Sequence, residues 1–362
     1  MKKLVALSFL SVIYDHQRTK RKLEFTPDHT NTIVTRTNLK LSEIKKDIPE
    51  HVFKSSVSKS MFYFVRDLIF LYAGYEYIYK SKLDERVKVP LFSLYMGTIG
   101  ASFFMIAHDC GHGSFSKYKL LNFIIGLFSN TVFLVPYFPW RLAHKNHHIH
   151  IQDIEKDEVY YPKENENSML FYPWFGWPMY LLTGRNSRGS DNTSFFDIKN
   201  PLLKDDKIKC LVSQLTVVGY LFTCLKKVSS KNLLCYALPS IVVHNAWLIL
   251  ITALHHNDES IVYLNGSDEV SHMCQSMDRT YGLLTTVIHN IGTHQVHHLN
   301  AQIPHYNLAE ATYYFRKKYP EMVKRSTKNT VFEFIRLSIK RKKKNKFKNG
   351  RKYKVFSQYD AL

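Results

Sequence analysis

The chain has 362 residues, a net charge of +20 from 50 Lys and Arg against 30 Asp and Glu, and 14% aromatic side chains. That length allows one large domain or two modest ones. Its five cysteines, Cys110, Cys210, Cys224, Cys235 and Cys274, form no Cys-x-x-Cys pair and most fall in apolar runs, which argues against a disulfide framework or a zinc ribbon and for buried, reduced thiols.

The N-terminus, "MKKLVALSFLSVIYD", has a basic start and a short apolar stretch like a secretory leader, but "DHQRTKRK" stands where a small-x-small cleavage site would be. Residues 1–40 are therefore expected to be a membrane-proximal or disordered leader. Four later stretches could each cross a bilayer core, which takes about 20 helical residues. They are 61–79, 89–107, 208–225 and 233–254. Arg66, Asp67 and Glu76 interrupt the first and make it the weakest. The first two pair as a hairpin through "KSKLDERVK", the last two through "KKVSSKN". A fifth apolar run, 120–140, is broken by Asn122, Ser129 and Asn130 and ends in Pro136 and Pro139, so it either spans or lies in the interface. Polar segments occupy 141–205 and 255–362. The last holds eleven Lys and Arg and no acid between 336 and 354, a solvated run that suits an anionic membrane surface better than nucleic acid.

Eight of the 18 histidines fall in three tight clusters. They are His108 and His112 in "HDCGH", His144, His147 and His148 in "HKNHH", and His294, His297 and His298 in "HQVHH". Residues at i, i+3 and i+4 share a helix face, so each cluster presents its imidazoles in one direction. A single histidine would be an ordinary surface or core residue. Two identical His-x-x-His-His clusters and a His-x-x-x-His, each beside an apolar run, are not scatter. One zinc uses about four ligands, so eight neutral nitrogens suit two metals. Imidazole accepts iron, copper, zinc or nickel, and spacing alone does not choose among them. Soluble di-iron bundles use Glu and Glu-x-x-His ligands, which differ from an all-His set. One site can use all three clusters only if they lie on one side of the membrane. That holds if 120–140 does not cross, which assigns the run to the interface, where Phe, Tyr and Trp are comfortable. The basic tail falls on the same side, and the positive-inside rule makes that side cytosolic.

At these clusters the sequence resembles the membrane fatty acid desaturases, and within them the Δ12 and omega-3 acyl-lipid desaturases. "HDCGHGSFS", "PYFPWRLAHKNHH" with "EKDEVYYP", "GWPMYLLTGR" and "MDRTYGLLTTVIHNIGTHQVHHLNAQIPHYNLAEAT" carry the likeness, and "LSEIKKDIPEHVFKSSVSKSMFYFVRDL" extends it toward the N-terminus. The resemblance implies an all-α fold: an integral membrane helical domain at 41–320, of about four transmembrane helices plus interfacial helices, with a cytosolic helical cap holding a His-rich di-iron site. Residues 321–362 would be a basic tail. The implied reaction removes two hydrogens from a fatty acyl chain with O2 and leaves a cis double bond. An alkyl C–H has no acidic proton, so acid–base catalysis cannot break it, whereas dioxygen activated at two Fe ions can.

By that resemblance the eight clustered histidines are iron ligands, and "ALHHND" offers a ninth, His256 in preference to His255. Asp109, Asp157, Glu158 and Asp278 are candidate acceptors for imidazole N–H groups. Asn290 and His289 are candidates to orient the third cluster, and His305 to shape the site. The 120–140 run is a candidate for part of an acyl tunnel wall. Asn300 departs from the Phe usual after His-His-Leu and puts local packing there in doubt, but not the ligands. His294 stands where front-end desaturases carry Gln. No His-Pro-Gly-Gly haem signature occurs, so electrons are expected from an external donor such as cytochrome b5 with its reductase.

The expected activity is conversion of oleoyl to linoleoyl chains. Omega-3 desaturation, hydroxylation and acetylenic chemistry on the same fold are the alternatives. A His-rich metal transporter is the competing reading from another class. It places its sites near mid-membrane, whereas these clusters sit at segment ends. A membrane zinc hydrolase would carry His-Glu-x-x-His, which is absent. Expected partners are a membrane acyl lipid and the electron donor, with no nucleic acid. The expected location is the endoplasmic reticulum, with both termini and the histidines cytosolic. The sequons at Asn192 and Asn265 are then expected to carry no glycan.

Overall fold

The computed structural model describes residues 1–24, 39–153, 157, 172–184, 194–256, 258, 260–261 and 269–336. The chain opens with α1 (Lys2–Glu24) and α2 (Leu41–Lys46). Helix α3 (Val57–Ala73) starts at Ser56, whose hydroxyl accepts the Lys59 N–H, and runs on as a π-turn, Gly74–Tyr79. Helix α4 (Glu85–His112) is capped by the Asp84 carboxylate on the Arg86 N–H at 2.8 Å. It ends at Gly113, where φ of 76° suits a residue without Cβ. Helices α5 (Lys119–Thr131), α6 (Tyr137–Ile149), α7 (Tyr172–Thr183) and α8 (Lys207–Lys227) follow. Then α9 (Ser230–Asn232), a π-turn (Leu233–Ala237) and α10 (Leu238–His256) run on as one helix. The cap contains α11 (Glu269–Met273), α12 (Leu284–Val287), α13 (His294–Leu299) and α14 (His305–Lys318). A two-residue strand β1 (Asp278–Arg279) pairs in parallel with β2 (Arg325–Ser326).

Three helices are long and apolar enough to cross a membrane: Glu85–His112, Lys207–Lys227 and Ser230–His256. They match the expected second, third and fourth spans, so among the described residues the count is three rather than four. The expected first span is helical but differs in kind. Its Arg66 and Asp67 are 1% and 0% exposed, turned into the protein rather than interrupting a lipid face. The Asp67 carboxylate accepts the Ser102 hydroxyl and the His289 Nε2–H, each at 2.6 Å.

The 120–140 run neither crosses nor lies flat. Helix α5 descends beside α4, with Phe128 6.4 Å from Phe103 between ring centroids. The chain then turns through Leu134, at φ 61°, and Pro136. Helix α6 climbs back to the level of His108, whose ring lies 4.7 Å from that of His144. Both ends of this re-entrant hairpin lie on one side. Its turn is packed in protein, against Gly100 of α4 through Phe133, which is how non-helical backbone persists at membrane depth.

Two termini differ from expectation. Residues 2–24, expected as a membrane-proximal or disordered leader, form α1, which buries Val5, Ser8, Val12 and Thr19 on one stripe. Residues 321–336, expected as tail, belong to the cap: Met322 and Val323 are buried and β2 pairs with β1. The run 337–362 lies outside the described residues. The cap has its own core, built from Ile44, Val52, Val296, Leu299, Leu308 and Phe315. That core ties α2, α13 and α14 into a lid over the histidine-bearing ends of α4 and α10.

Candidate metal centre

Each histidine cluster sits at or near the end of a helix. His108 and His112 occupy the last turn of α4, one turn apart on one face. His144, His147 and His148 lie on the ascending α6, His256 is the last residue of α10, and His294, His297 and His298 lie on α13. The helices converge so that the nine imidazoles form two groups. His108, His112, His144, His148 and His297 bring one nitrogen each within 4.8 Å of one another, and so do His147, His256 and His298. His294 joins the second group, its Nε2 lying 2.9 Å from His256 Nε2 and 3.0 Å from His298 Nε2. The two His-x-x-His-His clusters are thus used crosswise. In α6 the i, i+4 pair points to the first group and the middle histidine to the second, and in α13 the reverse holds. The stacked rings of His148 and His298, 4.1 Å apart, join the groups.

The donor set fits metal ions. Nε2 to Nε2 separations are 3.0 Å for His297–His148, 3.2 Å for His148–His144 and 3.4 Å for His147–His256. Nitrogens held about 2.1 Å from one ion lie roughly 3.0 Å apart at right angles and roughly 3.4 Å apart at tetrahedral angles. The buried Nε2 atoms of His108 and His112 have no hydrogen-bond partner. Such orphaned lone pairs are costly unless a ligand takes them up. Burial holds the imidazoles of His144, His148, His294, His297 and His298 well below the usual range, and neighbouring imidazoles push the same way. They are therefore neutral at pH 7, the form that binds metal.

The acids play more varied parts than expected. Asp157 accepts the His147 Nδ1–H at 3.1 Å from both carboxylate oxygens, and also the Gln152 backbone N–H at 2.8 Å. Asp109 accepts from His305, both Nδ1–H at 2.8 Å and backbone N–H at 3.1 Å, and so ties α4 to the start of α14. Among the described residues Asp278 bonds no imidazole. It accepts the Gln295 backbone N–H at 2.8 Å, at the open N-terminus of α13, and an Arg316 N–H at 2.6 Å. The Asn290 side chain donates to the His305 carbonyl at 3.4 Å, and its backbone carbonyl accepts the backbone N–H and the hydroxyl of Thr293, the residue before His294, at 3.0 and 2.7 Å. Glu158 lies outside the described residues. The His255 ring packs 4.5 Å from that of His294, but its nitrogens engage the Met277 carbonyl at 2.5 Å and the Tyr281 hydroxyl at 3.0 Å, which leaves His256 to present a nitrogen to the second group.

Three features escaped sequence reasoning. The first is the network of Arg66, Asp67, Ser102 and His289, signalled only by charges in an apolar run. The second is Gln152, whose side-chain amide donates to the His256 carbonyl at 2.9 Å. The third is a cavity that ends on His108, His144, His147, His256 and His294. Its apolar wall comes from Phe104, Trp140, Trp177, Tyr180, Leu248 and Ile251. Of the 120–140 run only Trp140 lines it, so α7 and α10 supply the wall expected from that run.

The sequence model of the fatty acid desaturase family matches residues 87–328. An sn-1 acyl-lipid omega-3 desaturase (ferredoxin) of Nostoc is 36% identical over 78% of this chain and 82% of its own length. The Delta(12)-oleate desaturase of Trichosanthes kirilowii is 33% identical over 75% of this chain and 82% of its own. A Delta(12) acyl-lipid conjugase of Impatiens balsamina is 31% identical over 82% and 85%.

Proposed function

The chain belongs to the fatty acid desaturase family, and from that premise we propose that it is an O2-dependent acyl-lipid desaturase that places a cis double bond in a monounsaturated chain. The observation that carries this reading is the apolar, aromatic-walled cavity ending on both groups of imidazoles. A polar or charged substrate would be poorly served by Phe104, Trp140, Trp177 and Leu248, and an acyl chain is well served. The nine histidines would hold two iron ions, which supply the capacity to remove hydrogen from an unactivated methylene. The balance is one –CH2–CH2– unit, O2, two electrons and two protons giving one –CH=CH– unit and two waters.

The chain's own residues account for binding and order. In this reading the apolar wall receives the acyl methylenes beside the imidazoles. The neutral imidazoles offer lone pairs, and Asp157 keeps the proton of His147 on Nδ1, so that the Nε2 lone pair would be the one to bind a metal. Asp278 and Arg316 anchor the N-terminus of α13 and so fix the third cluster.

Within the family we assign Δ12 action on oleoyl chains, on the stretches after the second cluster that resemble those enzymes. Omega-3 action is favoured by the cyanobacterial relative. Hydroxylase or acetylenase outcomes on the same fold are left to the product analysis. Electrons come from a separate donor, cytochrome b5 with its reductase if the protein resides in the endoplasmic reticulum with its histidines cytosolic. The Nostoc relative is named for ferredoxin. The test is the fatty acid profile of yeast expressing the chain beside a His147→Ala variant. New diunsaturated C18 or C16 acids in the wild type alone are expected, and double-bond position separates Δ12 from omega-3. No new acid from a membrane-inserted, metal-loaded protein, even with linoleate fed, would overturn the proposal.

A further inference from the structure

Helix α1 runs antiparallel to α3. Phe9 packs on Phe70 with ring centroids 5.0 Å apart, Asp15 lies 3.6 Å from Arg66 Nη1, and Lys22 reaches Glu310 of α14. Helix α3 starts at the cap, where the Ser56 N–H donates to the Tyr306 hydroxyl at 2.8 Å, and leads away from the histidines. Helix α1 therefore begins far from the cap and ends on it. Its depth is set by α4: the Tyr95 hydroxyl donates to the Phe70 carbonyl at 3.0 Å, so Phe9 stands beside the membrane-length part of that helix. The outward face of α1 changes at one point. Leu4, Leu7, Leu10, Ile13 and Tyr14 are exposed before Asp15, each 46% or more. Gln17, Arg18, Lys20, Arg21 and Glu24 are exposed after it.

An inward stripe packed on protein and an outward face that is apolar on one side of a plane and charged on the other has one physical reading. We propose that residues 4–14 of α1 lie in the hydrocarbon layer beside α3, their outward face covered by lipid tails, and that the helix leaves the bilayer at Asp15. Those residues make about 16 Å of helix, roughly half of a bilayer core of about 30 Å. The lipid-facing surface of α3 and α4, which exposes Val65, Tyr72, Leu91 and Leu94, accompanies this face at the same depth. The chain's first residues are thereby carried away from the side that holds the histidines, in place of the cytosolic N-terminus expected from the sequence.

The test uses the full chain in lipid vesicles, with the half-buried Cys224 and Cys235 replaced by serine and a fluorophore attached at Leu7→Cys or, separately, at Gln17→Cys. Elution in gel filtration identical to the unlabelled parent checks that each folds. The Leu7 label is expected to lose most of its fluorescence to nitroxide-bearing lipids and none to aqueous iodide, with the Gln17 label showing the reverse. Quenching of the Leu7 label by iodide, as at Gln17, would mean that the face meets water. Quenching by neither agent would mean that protein, such as a second copy, covers it. Either result overturns the proposal.

Discussion

His147 and His148 are neighbours in the chain, yet their rings point to different groups of nitrogens. The spacing that made the clusters legible, i, i+3 and i+4 on a helix, explains why each cluster faces inward as a unit. It does not say how the units divide, because that depends on how α6 and α13 cross. Asp157 has the plainest single-residue role. Replacing it with Asn leaves the His147 N–H without its carboxylate and is expected to weaken metal retention about 10- to 100-fold, read by competition with a chelator. Asp67 was illegible as a site residue, since a charge in an apolar run reads as an interruption until its partner 222 positions away is seen. That partner, His289, has its pKa pushed down to about 4 by burial, although Asp67 pulls the other way. An unfolded histidine titrates near 6.5, so between those values the unfolded chain binds more protons and stability rises with pH. The contribution from His289 is complete above about 6.5 and fades as pH falls toward 4. Replacing His289 with Gln is therefore expected to flatten the melting temperature profile in detergent across that window. A variant as acid-sensitive as the parent would assign the loss to other groups.

At the scale of elements, the sequence marked α4, α8 and α10 well because length and apolar content are local properties. The re-entrant α5–α6 hairpin was only half legible. Its polar interruptions and prolines ruled out a simple span, and the need to gather three clusters on one side ruled out crossing. Its depth depends on Phe133 entering the space above Gly100, which no local pattern reports. The same kind of close approach joins α4 to α10. A Cβ at Gly97 would stand 2.7 Å from the Ser240 carbonyl oxygen, a backbone atom that cannot rotate away. Gly97→Ala is expected to cost about 1–3 kcal/mol by forcing these helices apart. At Gly219 of α8 a Cβ would meet nothing within 4 Å. There alanine is expected to be neutral or to stabilise the helix by up to about 1 kcal/mol. Thermal melts of the two variants in one detergent check the contrast. The cavity gives a functional counterpart. Ile251→Trp, on the wall contributed by α10, is expected to lower kcat/KM for long acyl chains while metal content stays at the parent level, as measured on one preparation.

Across the whole molecule, membrane helices bring the ends of α4 and α10 to one level, and the cap closes over them with α13. The β1–β2 pair and the Asp278–Arg316 contact hold that closure from behind. The N-terminal helix and residues 321–336 belong to this body, although composition alone suggested loose ends. Their stripes of buried side chains are short and gain meaning only from α3, α14 and β1. If the proposed function holds, the two groups of histidines bind two metal ions in one chain. The measurement that tests it most directly is the metal content of protein purified from membranes of iron-replete cells, by elemental analysis against chain concentration. Two irons per chain with negligible zinc is the predicted result. A single metal per chain, or zinc in place of iron, would contradict it.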